Sequence, residues 1–122
     1  MTTDKTFMVV DDSKVTRMMV SAMVKASRPD WTILEAPDGN IALSLVNEHP
    51  VDLFSIDLNM PDMDGLELIE KLNSQLPEAK KALLTANIQQ STHEKSRLLG
   101  ARCINKPITD ETINAMLEYF NE

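Results

Sequence analysis

Short apolar runs that each break off at a polar residue constrain this chain more than any other feature. Phe7, Met8, Val9 and Val10 run directly into Asp11 and Asp12, and the stretch from Val51 to Ile56 runs into Asp57. A near-continuous apolar run suits a strand covered on both faces, and such strands belong to parallel sheets flanked by helices. Between the runs the apolar residues recur at helical spacing. Ser13 is placed to cap a helix in which Val15, Met18, Met19, Ala22, Met23 and Ala26 form one stripe, expected to face the core and to end at Pro29. Ile41, Ala42, Leu45 and Val46 predict a second helix, stopped before Pro50, after a turn at Pro37, Asp38 and Gly39. Leu66, Ile69 and Leu72 predict a third, ending before Pro77, and Ile113, Met116, Leu117 and Phe120 the last. Residues 89–99 are helical in composition but mostly polar, with Gly100 as a natural C-cap, so thin packing is expected there. Strands are expected over 7–10, 31–34, 52–56, 80–84 and 102–104. Alternation of this kind predicts an α/β fold, a doubly wound parallel sheet of five strands with five helices.

Size and charge narrow the function classes. The 122 residues fit one domain, so a single domain without an output domain is expected. A net charge of -7, from 12 basic and 19 acidic residues, argues against a nucleic-acid partner, which wants a basic face. The lone cysteine, Cys103, excludes an internal disulfide and a cysteine-built zinc site. No apolar stretch approaches the roughly 20 residues that span a bilayer. The first six residues, Met1, Thr2, Thr3, Asp4, Lys5 and Thr6, lack the apolar core of a signal peptide. No membrane insertion and a cytoplasmic location are therefore expected.

Right-handed crossovers put the C-terminal ends of parallel strands on one side, and ligands bind in the crevice outside them. Asp11, Asp12, Asp57, Thr85 and Lys106 all follow predicted strands. Three carboxylates gathered there repel one another and raise their pKa values unless a cation joins them. Oxygen ligands of this sort suit a hard divalent ion such as Mg2+. With the lysine and the hydroxyl beside them, the set describes a site for a phosphoryl group. Taken singly, Asp11 or Asp12 could be a helix N-cap, Lys106 a solvated charge, and Thr85 a strand-end cap. A calcium loop over Asp57, Asn59 and Asp64 fails, because Asp62 and Leu68 stand where glycine and glutamate are required. His49 and His93 are unpaired by spacing and read as surface residues. The eight methionines mostly fall on helix stripes as core filler, with Met60 and Met63 placed in a loop where a partner could touch them.

The motifs Val9-Val10-Asp11-Asp12-Ser13, Asp57-Leu58-Asn59-Met60-Pro61-Asp62-Met63-Asp64-Gly65-Leu66-Glu67-Leu68, Leu84-Thr85-Ala86 and Asn105-Lys106-Pro107 stretch across nearly the whole chain. In this order they resemble a response-regulator receiver domain of the single-domain chemotaxis type. The resemblance implies a flavodoxin-like fold with strand order 2-1-3-4-5. It also implies that Asp57 accepts a phosphoryl group from a phosphohistidine on a sensor kinase or phosphotransfer protein. Asp11, Asp12 and Asp57 would hold Mg2+ together with the backbone carbonyl of Asn59. Lys106 would engage the phosphoryl oxygens, aimed inward by a cis peptide to Pro107, and the Thr85 hydroxyl would donate to them. The chain itself would be a monomer that signals through contact with a downstream protein and catalyses only its own phosphotransfer and dephosphorylation. By the same analogy Asn59 and Asn87 tune the lifetime of the phosphate. Asp64 would cap the third helix, Gly65 would supply a permissive backbone angle, and Trp31 would report on adduct formation.

One departure from the family stands out. The aromatic residue expected three positions before the lysine is Cys103 here, so an output change must travel by other contacts, through residues 88–99 and the fifth strand. Two further readings compete. An Asp-based phosphohydrolase would want an acid two residues after the nucleophile, where this chain has Asn59. A phosphate-independent interaction module would have no need of the full acidic set.

Overall fold

The computed structural model describes residues 4–86 and 89–122. Five strands, β1 (Thr6–Val10), β2 (Thr32–Ala36), β3 (Leu53–Asp57), β4 (Lys80–Thr85) and β5 (Arg102–Asn105), alternate with five helices. The helices are α1 (Lys14–Ser27), α2 (Gly39–Val46), α3 (Gly65–Gln75), α4 (Gln90–Leu98) and α5 (Asp110–Phe120). All neighbouring strands pair in parallel, in the order β2-β1-β3-β4-β5. This is the doubly wound parallel sheet that the sequence pattern predicts, in the flavodoxin-like strand order that the resemblance implies. Among the described residues no helix is long and apolar enough to cross a membrane.

Each strand feeds both faces of the sheet, because successive side chains alternate. Phe7 and Val9 join Trp31, Ile113, Met116 and Phe120 in the layer under α1 and α5. Met8 and Val10 join Phe54, Ile56, Leu68 and Leu72 in the layer under α2 and α3. Full burial of side chains of this size is worth about 1.5–3 kcal/mol each, which explains why the continuous apolar runs could be recognised as strands.

The helix starts follow local chemistry. Ser13, Asp38, Asp64 and Thr109 each accept a backbone N–H with the side chain at the head of α1, α2, α3 and α5. Helix α4 starts at Gln89 with no such bond, and Ser96 is its one buried residue. That fits the thin packing expected there. Asn87 and Ile88, named above as a lifetime residue and as the start of that segment, lie outside the described residues.

Three expectations are corrected. The α1 stripe of Val15, Met18, Met19, Ala22 and Ala26 faces solvent, and the helix buries Val20 and Val24 instead. The cause is Arg17, which donates from Nη1 to the Asp11 carbonyl at 2.7 Å and pairs through Nε with Glu35 at 3.2 Å. These bonds hold Arg17 toward the sheet. Residues three, four and seven further on share its side of the helix, so the longer apolar stripe turns outward. Ile41 of α2 is likewise exposed. Finally, Met60 and Met63 are buried rather than displayed to a partner; among the described residues the exposed methionines are Met18 and Met19.

Candidate functional site

Asp57 is the last residue of β3, and its carboxylate is only 6% exposed. Strand β1 ends one residue before Asp11, which is also buried, and the chain then turns into α1. That turn is braced from both sides: the Asp11 N–H donates to the Ala36 carbonyl at 3.1 Å, and the Ser13 N–H donates to Asp11 Oδ1 at 2.8 Å. Asp12 is exposed at the rim. One carboxylate oxygen from each of Asp11, Asp12 and Asp57 lies within 4.8 Å of the others.

Lys106 follows β5 and reaches across this group. Its ammonium lies 3.1 Å from Asp57 Oδ1 and 3.7 Å from Asp11 Oδ2. Its backbone N–H donates to the Thr85 carbonyl at 3.0 Å, which ties the two strand ends together. The peptide to Pro107 is cis. Thr85 itself is fully buried at the end of β4. Asn59 lies exposed two residues beyond Asp57. The residues singled out from sequence thus collect at one sheet edge.

The electrostatics show a group short of positive charge. Burial pushes the Asp11 carboxyl above its ordinary range, and the neighbouring Asp57 and Asp12 add to the rise. The Ser13 N–H and Lys106 oppose it without cancelling it. A divalent cation fits this donor set. Oxygens around an octahedral Mg2+ at about 2.1 Å stand roughly 3–4 Å apart, so three carboxylates within 4.8 Å need only a small inward shift. The exposed Asp12 leaves the rim open to water, which Mg2+ retains readily.

Several contributors were not legible in sequence. Arg17 anchors the Asp11 carbonyl, and its only signal was a basic residue one turn beyond the Ser13 cap. Gly65 has ordinary backbone angles, contrary to the permissive angle expected of it. It is required because a Cβ there would meet the Asp57 carbonyl oxygen at 2.6 Å and Leu83 Cδ1 at 2.7 Å. The left-handed residue of this loop is Asp62, at φ 69°; aspartate tolerates that region better than most side chains. Trp31 is also misplaced as a reporter. It packs on Phe7 and Phe120 at the start of β2, whereas Asp57 sits at the opposite ends of the strands. A strand of five residues separates those edges by roughly 15 Å.

Known proteins are similar to this chain in sequence and in fold. The sensor protein EvgS of Escherichia coli K12 is 33% identical over 116 residues, which is 94% of this chain and 10% of that protein. A protein-glutamate methylesterase/protein-glutamine glutaminase of Burkholderia lata is 39% identical over 101 residues, 80% of this chain and 28% of that protein. The chain therefore spans about a tenth of one relative and less than a third of the other. Among solved structures, the Vibrio cholerae chemotaxis protein CheY4 superposes with a TM-score of 0.86 at 27% identity, covering 95% of this chain and 98% of that one. A response regulator from Burkholderia pseudomallei superposes at 0.82 with 28% identity, covering 93% of this chain and 66% of that one. The family model of the response regulator receiver domain matches residues 7–118. With β1 through most of α5 inside that match, the chain belongs to the response regulator receiver domain family.

Proposed function

We propose that this receiver domain takes a phosphoryl group onto Asp57 from the phosphohistidine of a sensor kinase or phosphotransfer protein. It then signals through contact with a second protein. The observation that carries this reading is the meeting of Asp11, Asp12, Asp57 and Lys106 in one acidic nook. Mg2+ is the cation proposed for it, held by the three carboxylates with the Asn59 carbonyl. When bound, the ion neutralises charge between Asp57 and the incoming phosphoryl group. Asp57 Oδ attacks phosphorus as the bond from phosphorus to the donor imidazole breaks. The imidazole leaves with that electron pair and takes up a proton, and an acyl phosphate remains on Asp57. Lys106 exchanges its 3.1 Å contact with Asp57 Oδ1 for the phosphoryl oxygens. The Thr85 hydroxyl is proposed as a further donor to them.

Two observations support this assignment. The Burkholderia pseudomallei response regulator carries a phosphorylated aspartic acid together with a calcium ion. Beside the nook, α1 presents Val15, Met18 and Met19 to solvent, with Met18 56% exposed. An apolar helix face on the rim of the site favours a protein donor over a free small molecule.

Incubation with acetyl phosphate and Mg2+, followed by intact-mass measurement, tests the reading. One phosphoryl group per chain is expected, absent with EDTA and absent in Asp57→Asn. An adduct that survives in Asp57→Asn overturns the assignment.

A further inference from the structure

A second surface, between α3 and α4, shares no residue with the acidic nook and plays no part in the chemistry proposed there. Helices α3 and α4 enclose an open cleft of about 390 Å³. Leu66, Leu98 and Leu99 line it, and Leu98 is 81% exposed, the most exposed large apolar side chain among the described residues. Asp64, Glu67 and Glu70 follow one another along its α3 edge, and Lys95 is the single cation on its rim. None of these four takes part in an ion pair among the described residues. Asn73 Nδ2 donates to the Leu99 carbonyl at 2.8 Å, which braces the cleft at its far end.

We propose that this cleft docks an amphipathic helix of a partner protein whose apolar stripe is flanked by lysine or arginine. The apolar lining calls for Leu-like side chains at a spacing of three and four residues, the pattern by which helices lie in grooves. The unpaired carboxylates on one wall call for cations beside that stripe, and they discriminate against an acidic helix. A second copy of this chain is a poorer occupant, even though α1 carries an outward apolar face and only basic charges. Each copy has a net charge of -7, so approach of two copies is opposed over a Debye length. Such a contact would also join unlike surfaces, giving a head-to-tail chain rather than a closed dimer.

The test uses a fluorescently labelled helical peptide of leucine and lysine, and its leucine and glutamate counterpart, titrated against the full chain by anisotropy at physiological salt. The lysine peptide is expected to bind and the glutamate peptide not to bind. The double variant Glu67→Lys, Glu70→Lys should weaken binding about tenfold. The control Glu111→Lys, Glu118→Lys makes the same change in net charge on α5 and should alter affinity less than about twofold. Leu98→Glu discriminates further: it makes the cleft more acidic yet removes its apolar contact, so weaker binding supports the docking mode. Stronger binding in that variant, or equal loss in both double variants, reduces the effect to bulk charge and overturns the proposal. Absence of binding also overturns it, and so does a chain that sediments as a dimer dissociated by Leu98→Glu. All five substituted residues are exposed, and circular dichroism checks that each variant folds.

Discussion

Replacing Asp12 by asparagine should make the metal-free protein more stable while removing its response to Mg2+. The sign follows from where Asp12 sits. It shares the 4.8 Å cluster with Asp11 and Asp57 but forms no ion pair with Lys106, whose ammonium contacts the other two. Neutralising it relieves two repulsions and breaks no ion pair. At 4.8 Å each pair costs about 3.5 kcal/mol at an effective dielectric of 20 and about 1 kcal/mol in bulk water. Because Asp12 is exposed, the lower figure applies, giving about 2 kcal/mol for the two pairs. A carboxylate just ahead of α1 also favours the helix dipole by about 0.3–1 kcal/mol, which the variant forfeits. The net expectation is a gain of about 1–2 kcal/mol in EDTA at low salt, shrinking as salt screens the cluster. For the wild type, 10 mM Mg2+ at a millimolar dissociation constant adds about 1.4 kcal/mol, whereas Asp12→Asn should gain little. Urea unfolding of both proteins, with EDTA and with Mg2+, measures all four values. A variant destabilised in EDTA, or stabilised by Mg2+ as much as the wild type, refutes the reasoning.

Other perturbations probe separate parts of the structure. Lys81 is 1% exposed, donates from Nζ to the Leu76 carbonyl, and is pushed down to about 8 by burial. Above pH 8 the folded protein sheds this proton while the unfolded chain keeps it to about 10.5, so stability rises with pH across that window. The wild type should gain about 2 kcal/mol relative to Lys81→Met between pH 7 and 9.5 in urea titrations. Above pH 10 the trend should reverse, because burial holds the Tyr119 hydroxyl protonated in the folded state after the unfolded chain has ionised. Gly65→Ala should cost about 2–3 kcal/mol in thermal unfolding, since its Cβ collides with the backbone carbonyl of Asp57. Trp31 fluorescence should stay within noise on phosphorylation, while Leu58→Trp, beside Asp57, should respond. Met18→Lys should leave stability within about 0.5 kcal/mol and labelling by acetyl phosphate unchanged, yet slow transfer from a phosphohistidine protein.

What could be read from sequence depended on how many independent signals agreed. The strands were legible because an unbroken apolar run such as Phe7 to Val10 has few other uses, and four of the five lead to a site residue. The α5 stripe was also legible: Ile113, Met116, Leu117 and Phe120 are all buried. Helix α1 was not, because it carries two apolar stripes. The choice between them rests with Arg17, whose partners Glu35 and the Asp11 carbonyl come together only in the folded chain. Gly65 was misjudged for a related reason, since the need for a missing Cβ depends on how closely α3 approaches β3. Lys81, inside the strand expected over 80–84, proves to be buried against the end of α3, a placement that periodicity alone does not reveal.

Fluorine NMR of the protein titrated with beryllofluoride probes the acidic nook most directly, because this phosphoryl mimic bonds to a carboxylate oxygen with a cation beside it. Bound resonances are expected in the wild type with Mg2+, shifted in Lys106→Met and missing both without the metal and in Asp57→Asn. Bound resonances that persist in Asp57→Asn, or that form fully in EDTA, would contradict the account.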